Sequence, residues 1–289
     1  DVTFNHQFGL TTYDTNSVRI GDYGTIAFLR GNLNGNGDNP NSAQDVFAAT
    51  YRQYDSSGAL LDTDILYDTF TGLRTAQSQF WNVVYTSQSE ATRLVHYPAG
   101  PQNLEDVGVP ILADTAYYTV TFNAQATDTF VNPDGVWGEY RFNITDANCG
   151  FNGVRFTYKN QYGVWDYYNF SLAESTTSNV ERQDYEQSFV DFSNTSNSVT
   201  YDKSRRGKNN YYNNVTKQHT ANSDYLTQVD ADNLRELFFS TDVYVQEGTT
   251  FLPVVITNAS ITEKTNPRSQ KLFRYEVQYQ YANGQRPRR

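Results

Sequence analysis

A mainly β protein of two domains is the fold class this sequence predicts. An acidic β-sandwich or jelly-roll-like domain is expected over residues 1–175. A second β-sandwich with one short helix, at about 227–239, is expected over 176–289. Three observations carry the prediction. The 289 residues fit two units at roughly 100–200 residues per domain. Aromatic side chains make up 15% of the chain, with 23 Tyr and 18 Phe and no Met, and such residues favour pleated, half-buried surfaces. Short apolar/polar alternations recur between turn signals, as in sandwiches and barrels.

Taken in order, Val46–Tyr54 and Ala59–Tyr67 flank Asp55-Ser-Ser-Gly58 and read as a hairpin. Tyr117–Phe122 reads as a further strand. Gly31–Ser42, rich in Asn and Gly, reads as a loop; its Asn32, Asn34, Asn36 and Asp38 imitate a calcium loop, but with one charge and no closing bidentate Glu they predict no useful divalent site. The clearest hairpin is Gly153–Leu172. Val154, Phe156 and Tyr158 alternate with Arg155, Thr157 and Lys159, Asn160-Gln-Tyr-Gly163 reverses the chain, and Trp165–Phe170 returns. With Trp165, Tyr167 and Tyr168 on the returning strand, both of its faces are expected to be covered, by core and by a neighbour. A sugar-binding aromatic platform is the alternative.

Residues 173–198, polar and rich in Ser, Thr, Asn and Glu, read as a linker or an interdomain extension, which sets the boundary near 175. Ser198–Lys203 and Asn214–Asn222 read as strands around an exposed basic turn, Arg205–Asn210. Thr227 as N-cap with Asp230 three residues on, then Ala231, Leu234, Leu237 and Phe238 at helical spacing, predict a helix of about three turns. Val243–Gln246, Thr250–Lys264 and Lys271–Ala282 alternate as strands of one sheet.

Charge divides the chain unevenly. Residues 1–175 hold 8 Lys/Arg against 19 Asp/Glu, a net of −11, and residues 176–289 hold 14 against 13, a net of +1. An acidic surface repels phosphate backbones, so direct nucleic-acid recognition is not expected. The basic spots, Lys203, Arg205, Arg206 and Lys208 and the terminal Arg286, Arg288 and Arg289, read as solvated faces or assembly contacts. The single Cys149 excludes an intramolecular disulfide framework. No apolar run approaches the roughly 20 residues that span a bilayer, and no signal-peptide pattern opens the chain. The chain starts at Asp1, as a processed product or a piece of a longer protein would. Sequons at Asn143, Asn169, Asn194, Asn214 and Asn258 are of the kind that an Asn-, Ser- and Thr-rich chain produces by chance.

The sequence contains no Gly-x-Ser-x-Gly, no phosphate-binding Gly-rich loop with Lys-Ser/Thr, no His-Glu-x-x-His and no Cys-x-x-Cys. His6, His96 and His219 lie far apart in sequence and define no triad or metal set. Paired carboxylates of a glycosidase, with Asp166 as a candidate acid, are the remaining catalytic option, and nothing separates that residue from other acids. No enzyme activity, cofactor or metal is expected.

Two stretches carry a resemblance. Cys149-Gly-Phe-Asn-Gly-Val-Arg-Phe-Thr-Tyr-Lys-Asn-Gln-Tyr-Gly163 with Trp165-Asp-Tyr-Tyr-Asn-Phe170 resembles a pattern in virion proteins of tailed phages of marine and Bacteroidetes-type bacteria. Leu234-Arg-Glu-Leu-Phe238, Val243-Tyr244, Phe251-Leu-Pro-Val-Val-Ile-Thr-Asn258, Glu263-Lys264, Lys271-Leu-Phe-Arg-Tyr275 and Tyr281-Ala-Asn283 resemble the ending of those proteins. The strand, strand, helix, strand, strand order also resembles the tail-tube and distal-tail fold. The likeness covers less than half of the chain. It implies a structural virion component of a tail, baseplate or neck, located in the phage particle. Its partners would be itself, as a closed ring (hexamer or trimer), and other virion proteins. Arg205, Arg206, Lys208, Trp165 and Tyr167 are the expected assembly contacts. The alternatives are a carbohydrate-binding host-adhesion module with host surface glycans as partners, or a jelly-roll capsid or decoration protein.

Overall fold

The computed structural model describes residues 11–29, 48–67, 94–123, 136–145, 153–188, 190–201, 204, 207–226, 228–258 and 274–283. Among these the protein is mainly β, with two short helices. A five-stranded sheet has the order β1-β7-β6-β3-β4, from β1 (Thr15–Val18), β3 (Ala48–Tyr54), β4 (Leu60–Tyr67), β6 (Tyr117–Asn123) and β7 (Val136–Ile144). Its central pairings are antiparallel, and β1 joins β7 in parallel. The β3–β4 reversal is the expected one: Gly58 takes a left-handed φ of 84°, and Asp55 Oδ1 accepts from the backbone N–H of Ser57 and Ala59. Those bonds, with one from the Ser57 hydroxyl, hold the Asp55 carboxyl below its usual range.

A second layer covers this sheet. The antiparallel pair β2 (Thr25–Leu29) and β5 (Leu94–Pro98), followed by helix α1 (Pro101–Asp106), shares one core with it through Ile26, Tyr97, Leu104, Tyr51, Tyr118 and Phe122. The two buried tyrosine hydroxyls reach across: Tyr51 donates to Pro98 O at 2.8 Å and Tyr118 to Ala99 O at 2.5 Å. Gly100 is required where these layers meet, because a Cβ there would lie 2.3 Å from Gly24 N.

The larger sheet has seven strands in the order β10-β13-β16-β15-β14-β8-β9. Its strands are β8 (Val154–Lys159), β9 (Trp165–Phe170), β10 (Ser175–Glu186), β13 (Lys208–Asn222), β14 (Val243–Glu247), β15 (Thr250–Ile256) and β16 (Glu276–Tyr281). Helix α2 (Gln228–Phe239) packs Ala231, Leu234 and Leu237 on its core, as their spacing predicts. A further hairpin, β11 (Val190–Ser193) with β12 (Ser198–Tyr201), completes the described strands.

Several expectations change. The boundary near 175 falls inside the seven-stranded sheet, because β8–β9 pairs with β14 and not with the five-stranded sheet. The physical reason is that Val154, Phe156 and Tyr158 find their apolar partners on α2 and β16. Residues 175–186 are not a linker but a strand of twelve residues. Residues 208–210 belong to β13 rather than to a turn. Thr227, Cys149, His6, the 31–42 loop, Phe273 and the terminal arginines lie outside the described residues. No described helix is long and apolar enough to cross a membrane.

Candidate assembly interface

Strand β13 serves two masters. Its last four residues, His219–Asn222, pair with β16 inside the sheet, whereas β10 accompanies it along Lys208–Thr220. From Lys217 back to Lys208 the β10–β13 pair therefore runs on as a two-stranded ribbon, about 30 Å long at the usual rise per residue. Every residue of β10 is exposed. The root is anchored: His219 stacks on Tyr279 with ring centroids 5.2 Å apart, and its Nδ1 lies 3.2 Å from Glu174 Oε1. Tyr279 donates to the same carboxylate at 2.8 Å.

Along the ribbon the described cross-strand side-chain contacts are solvent-exposed. Tyr185 and Tyr211 meet at 6.1 Å, Tyr211 donates to Gln183 at 2.8 Å, and Lys208 lies 3.3 Å from Asp184. Exposed apolar side chains crowd it instead: Val180, Tyr185, Tyr211 and Tyr212 on the ribbon, and Val190, Phe192 and Val199 on the β11–β12 hairpin that lies between its strands in sequence. An isolated two-stranded ribbon is marginal in water, and among the described residues no third strand pairs with its outer edges, the kind of edge to which another chain can add.

Of the residues expected at assembly contacts, Lys208 lies on this ribbon with its side chain 67% exposed, while Arg205 and Arg206 are outside the described residues. Trp165 and Tyr167 are buried, at 6% and 5% exposure, which corrects their placement at a subunit surface and removes the sugar-platform alternative for this strand. Trp165 packs edge-on against Tyr244, with Lys159 Nζ 5.5 Å from its ring. The Tyr167 hydroxyl is 3.4 Å from Thr25 Oγ1. Both faces of β9 are covered, as its aromatics predict. The ribbon itself escaped the period-two test because neither of its faces is buried. The signal that was available is that residues 164–206 contain neither Gly nor Pro, unlike a linker.

Residues 11–27 lie against the second face of β8–β9 and tie the two sheets together. Buried Arg155 donates from Nε and Nη2 to Tyr23 O at 2.9 and 2.6 Å, and from Nη1 to Asp22 Oδ2 at 3.3 Å and to Asn169 Oδ1 at 3.1 Å. Asn169 Nδ2 donates to Asp22 at 2.6 Å and to Ser17 O at 2.9 Å, so this sequon has no amide left for a glycan. Farther along, Asp166 is fully buried and accepts from Thr12 N–H at 3.2 Å and from Asn160 Nδ2 at 3.0 Å.

Burial pushes the Asp166 carboxyl up to about 6, against the opposite pull of its hydrogen bonds from Thr12 and Asn160. The folded state thus keeps a proton that the unfolded chain releases near the ordinary carboxyl value of 3.8. The stability Asp166 contributes is full below that value and is lost as pH rises through about 6, on the order of 3 kcal/mol. His96 works in the other direction, since burial lowers its pKa to about 4 and stability from it is lost as pH falls through that value. Asp166→Asn is therefore expected to steepen the rise of stability between pH 4 and 6. Urea midpoints across that range check it, and an unchanged slope would contradict the assignment.

Among the described residues no group of three His, Cys, Asp or Glu side chains is placed to hold a metal ion. Comparison with known proteins finds no matching family model, no matching curated protein and no matching solved structure.

Proposed function

We propose that the protein is a structural subunit that works by assembling with copies of itself, and that the β10–β13 ribbon is the part that engages the next subunit. The single observation behind this reading is the ribbon: among the described residues its strands pair only with each other beyond the sheet, and it exposes Val180, Tyr185, Tyr211 and Tyr212 on both strands. Charge supports the choice of a second copy as partner. Residues 176–289, which include the ribbon and Arg205, Arg206 and Lys208, carry a net +1, and residues 1–175 carry −11. Head-to-tail contacts of this kind close into rings when the rotation allows. Together with the phage-virion resemblance of the sequence, the reading is a ring component of a tailed-phage tail, baseplate or neck, hexameric or trimeric, with other virion proteins as further partners.

Light scattering of the full chain against a ribbon-shortened variant tests it. The shortening joins Thr177 to Gln218, which face each other in the ladder, through an Asn-Gly turn. The full chain is expected as a discrete oligomer near three or six times 32.9 kDa, and the shortened chain as a monomer. A full chain that stays monomeric at all concentrations and salts, or an oligomer that survives the shortening, would count against the ribbon. Arg205→Glu with Arg206→Glu is expected to weaken assembly at low salt.

A further inference from the structure

An open cavity of about 280 Å³ lies where β1, the end of β9 and the segment leading into α2 meet. Its walls include Arg19, Tyr168, Ser171, Asp224, Tyr225 and Asp230. Two features distinguish it from an ordinary surface dent. Tyr225 is 66% exposed, yet its backbone is firmly held: Ser223, fully buried beside it, exchanges hydrogen bonds with Tyr275 in both directions, and Leu226 is buried in the core. A rigid segment thus presents an aromatic ring to solvent at the rim. Donors and acceptors also line the same space. Among the described residues, the Arg19 guanidinium makes one bond, Nη2 to Gly153 O at 3.0 Å, and no ion pair joins it to Asp224. The carboxylates of Asp230 and Asp224 also line the cavity, and the Tyr168 phenol has its pKa raised by burial and then by these two charges, so it stays a neutral hydroxyl.

We infer that this cavity is a binding site for a neutral pyranose sugar. Carboxylate oxygens accept from vicinal hydroxyls, the guanidinium and the Tyr168 hydroxyl donate to ring and hydroxyl oxygens, and Tyr225 covers the apolar C–H face of the ring. The volume is at the small end for ligand sites and suits one sugar ring. The paired carboxylates oppose a sugar acid. One ring of about a dozen heavy atoms gives a Kd on the order of 1–10 mM at drug-like efficiency.

Saturation-transfer NMR on the full chain, with galactose, glucose, mannose, N-acetylglucosamine and N-acetylneuraminic acid as probes, tests the site. At least one neutral sugar is expected to bind in the millimolar range, with the acidic sugar at least tenfold weaker. Tyr225→Ala is expected to weaken binding about tenfold, the worth of an aromatic contact. Tyr225→Phe is expected to keep it. Ser171→Trp, which fills the cavity, is expected to abolish binding, with the melting temperature of each variant confirming its fold. Three results would overturn the assignment: no neutral sugar bound at tens of millimolar, equal binding of the acidic sugar, or binding that persists in both Tyr225→Ala and Ser171→Trp. The oligomeric state does not enter this readout, so its outcome is separate from that of the ribbon.

Discussion

Replacing Arg155 with methionine is expected to destabilise the folded chain by about 3–5 kcal/mol, the usual cost of removing one partner from a buried ion pair. Methionine keeps the length of the side chain but none of its donors. Tyr23 O loses both of its guanidinium bonds, and Asp22 is left as a buried charge with, among the described residues, only the Arg19 N–H and the Asn169 amide to solvate it. The guanidinium also lies 5.2 Å over the Tyr167 ring, a contact that methionine replaces only by packing. Chemical denaturation measures the loss. Hydrogen exchange locates it, because residues 11–27 are the segment this arginine holds against β8–β9, and their amides are expected to lose protection first. Adding Asp22→Asn to Arg155→Met is expected to recover part of the stability, since it removes the orphaned charge. A single variant that costs under about 1 kcal/mol would mean that the network orients the segment without stabilising it.

Phe156→Ala is expected to cost a similar about 3–5 kcal/mol by a different route, the cavity left in a close-packed core. Phe156 is fully buried on β8 in the core of the larger sheet, edge-on to Phe170 at 5.1 Å and to Tyr279 at 5.2 Å. These neighbours belong to different strands, so the hole cannot close by one side chain moving. Phe192→Ser is the control. Phe192 is 62% exposed on the β11–β12 hairpin, and its replacement is expected to leave monomer stability within about 0.5 kcal/mol while weakening assembly. Urea midpoints and light scattering on the same samples separate the two effects. A Phe192 variant that is destabilised as much as the Phe156 variant would place Phe192 in the fold instead of at a contact.

Local pattern found part of the elements that have a buried face; β7, whose buried Tyr140 and Phe142 alternate with exposed Glu139 and Arg141, and α1, with buried Leu104, were not anticipated. The alternations at 48–54, 60–67, 117–123, 154–159 and 276–281 all appear as strands, and the spacing of Ala231, Leu234 and Leu237 gives α2 its buried stripe. The reversals at Asp55–Gly58 and Asn160–Gly163 were legible for the same local reason. Gly58 and Gly163 take positive φ, and Asp55 and Asn160 bind the backbone just after them. The ribbon was not legible, because period two reports burial on one side and β10 is buried on neither. Nor was the burial of Trp165 and Tyr167 distinguishable from an aromatic surface: the same ring types serve a core and an interface, and only the strands and segments around them decide which.

The sequence by itself determined the β class, the single helix of the second half, the hairpin turns and the uneven charge, since each depends on neighbours within a few residues. The tertiary structure alone decided that the 154–170 hairpin joins the later strands, that residues 11–27 return to seal its polar face through Arg155 and Asp166, and that β10 and the Lys208–Lys217 part of β13 run beyond the sheet as a ribbon. Those facts rest on contacts between residues more than a hundred positions apart, such as Thr12 with Asp166, or on the absence, among the described residues, of a third strand beside an existing pair. Neither kind of fact leaves a local mark on the chain, because it depends on which surfaces meet after the elements have formed.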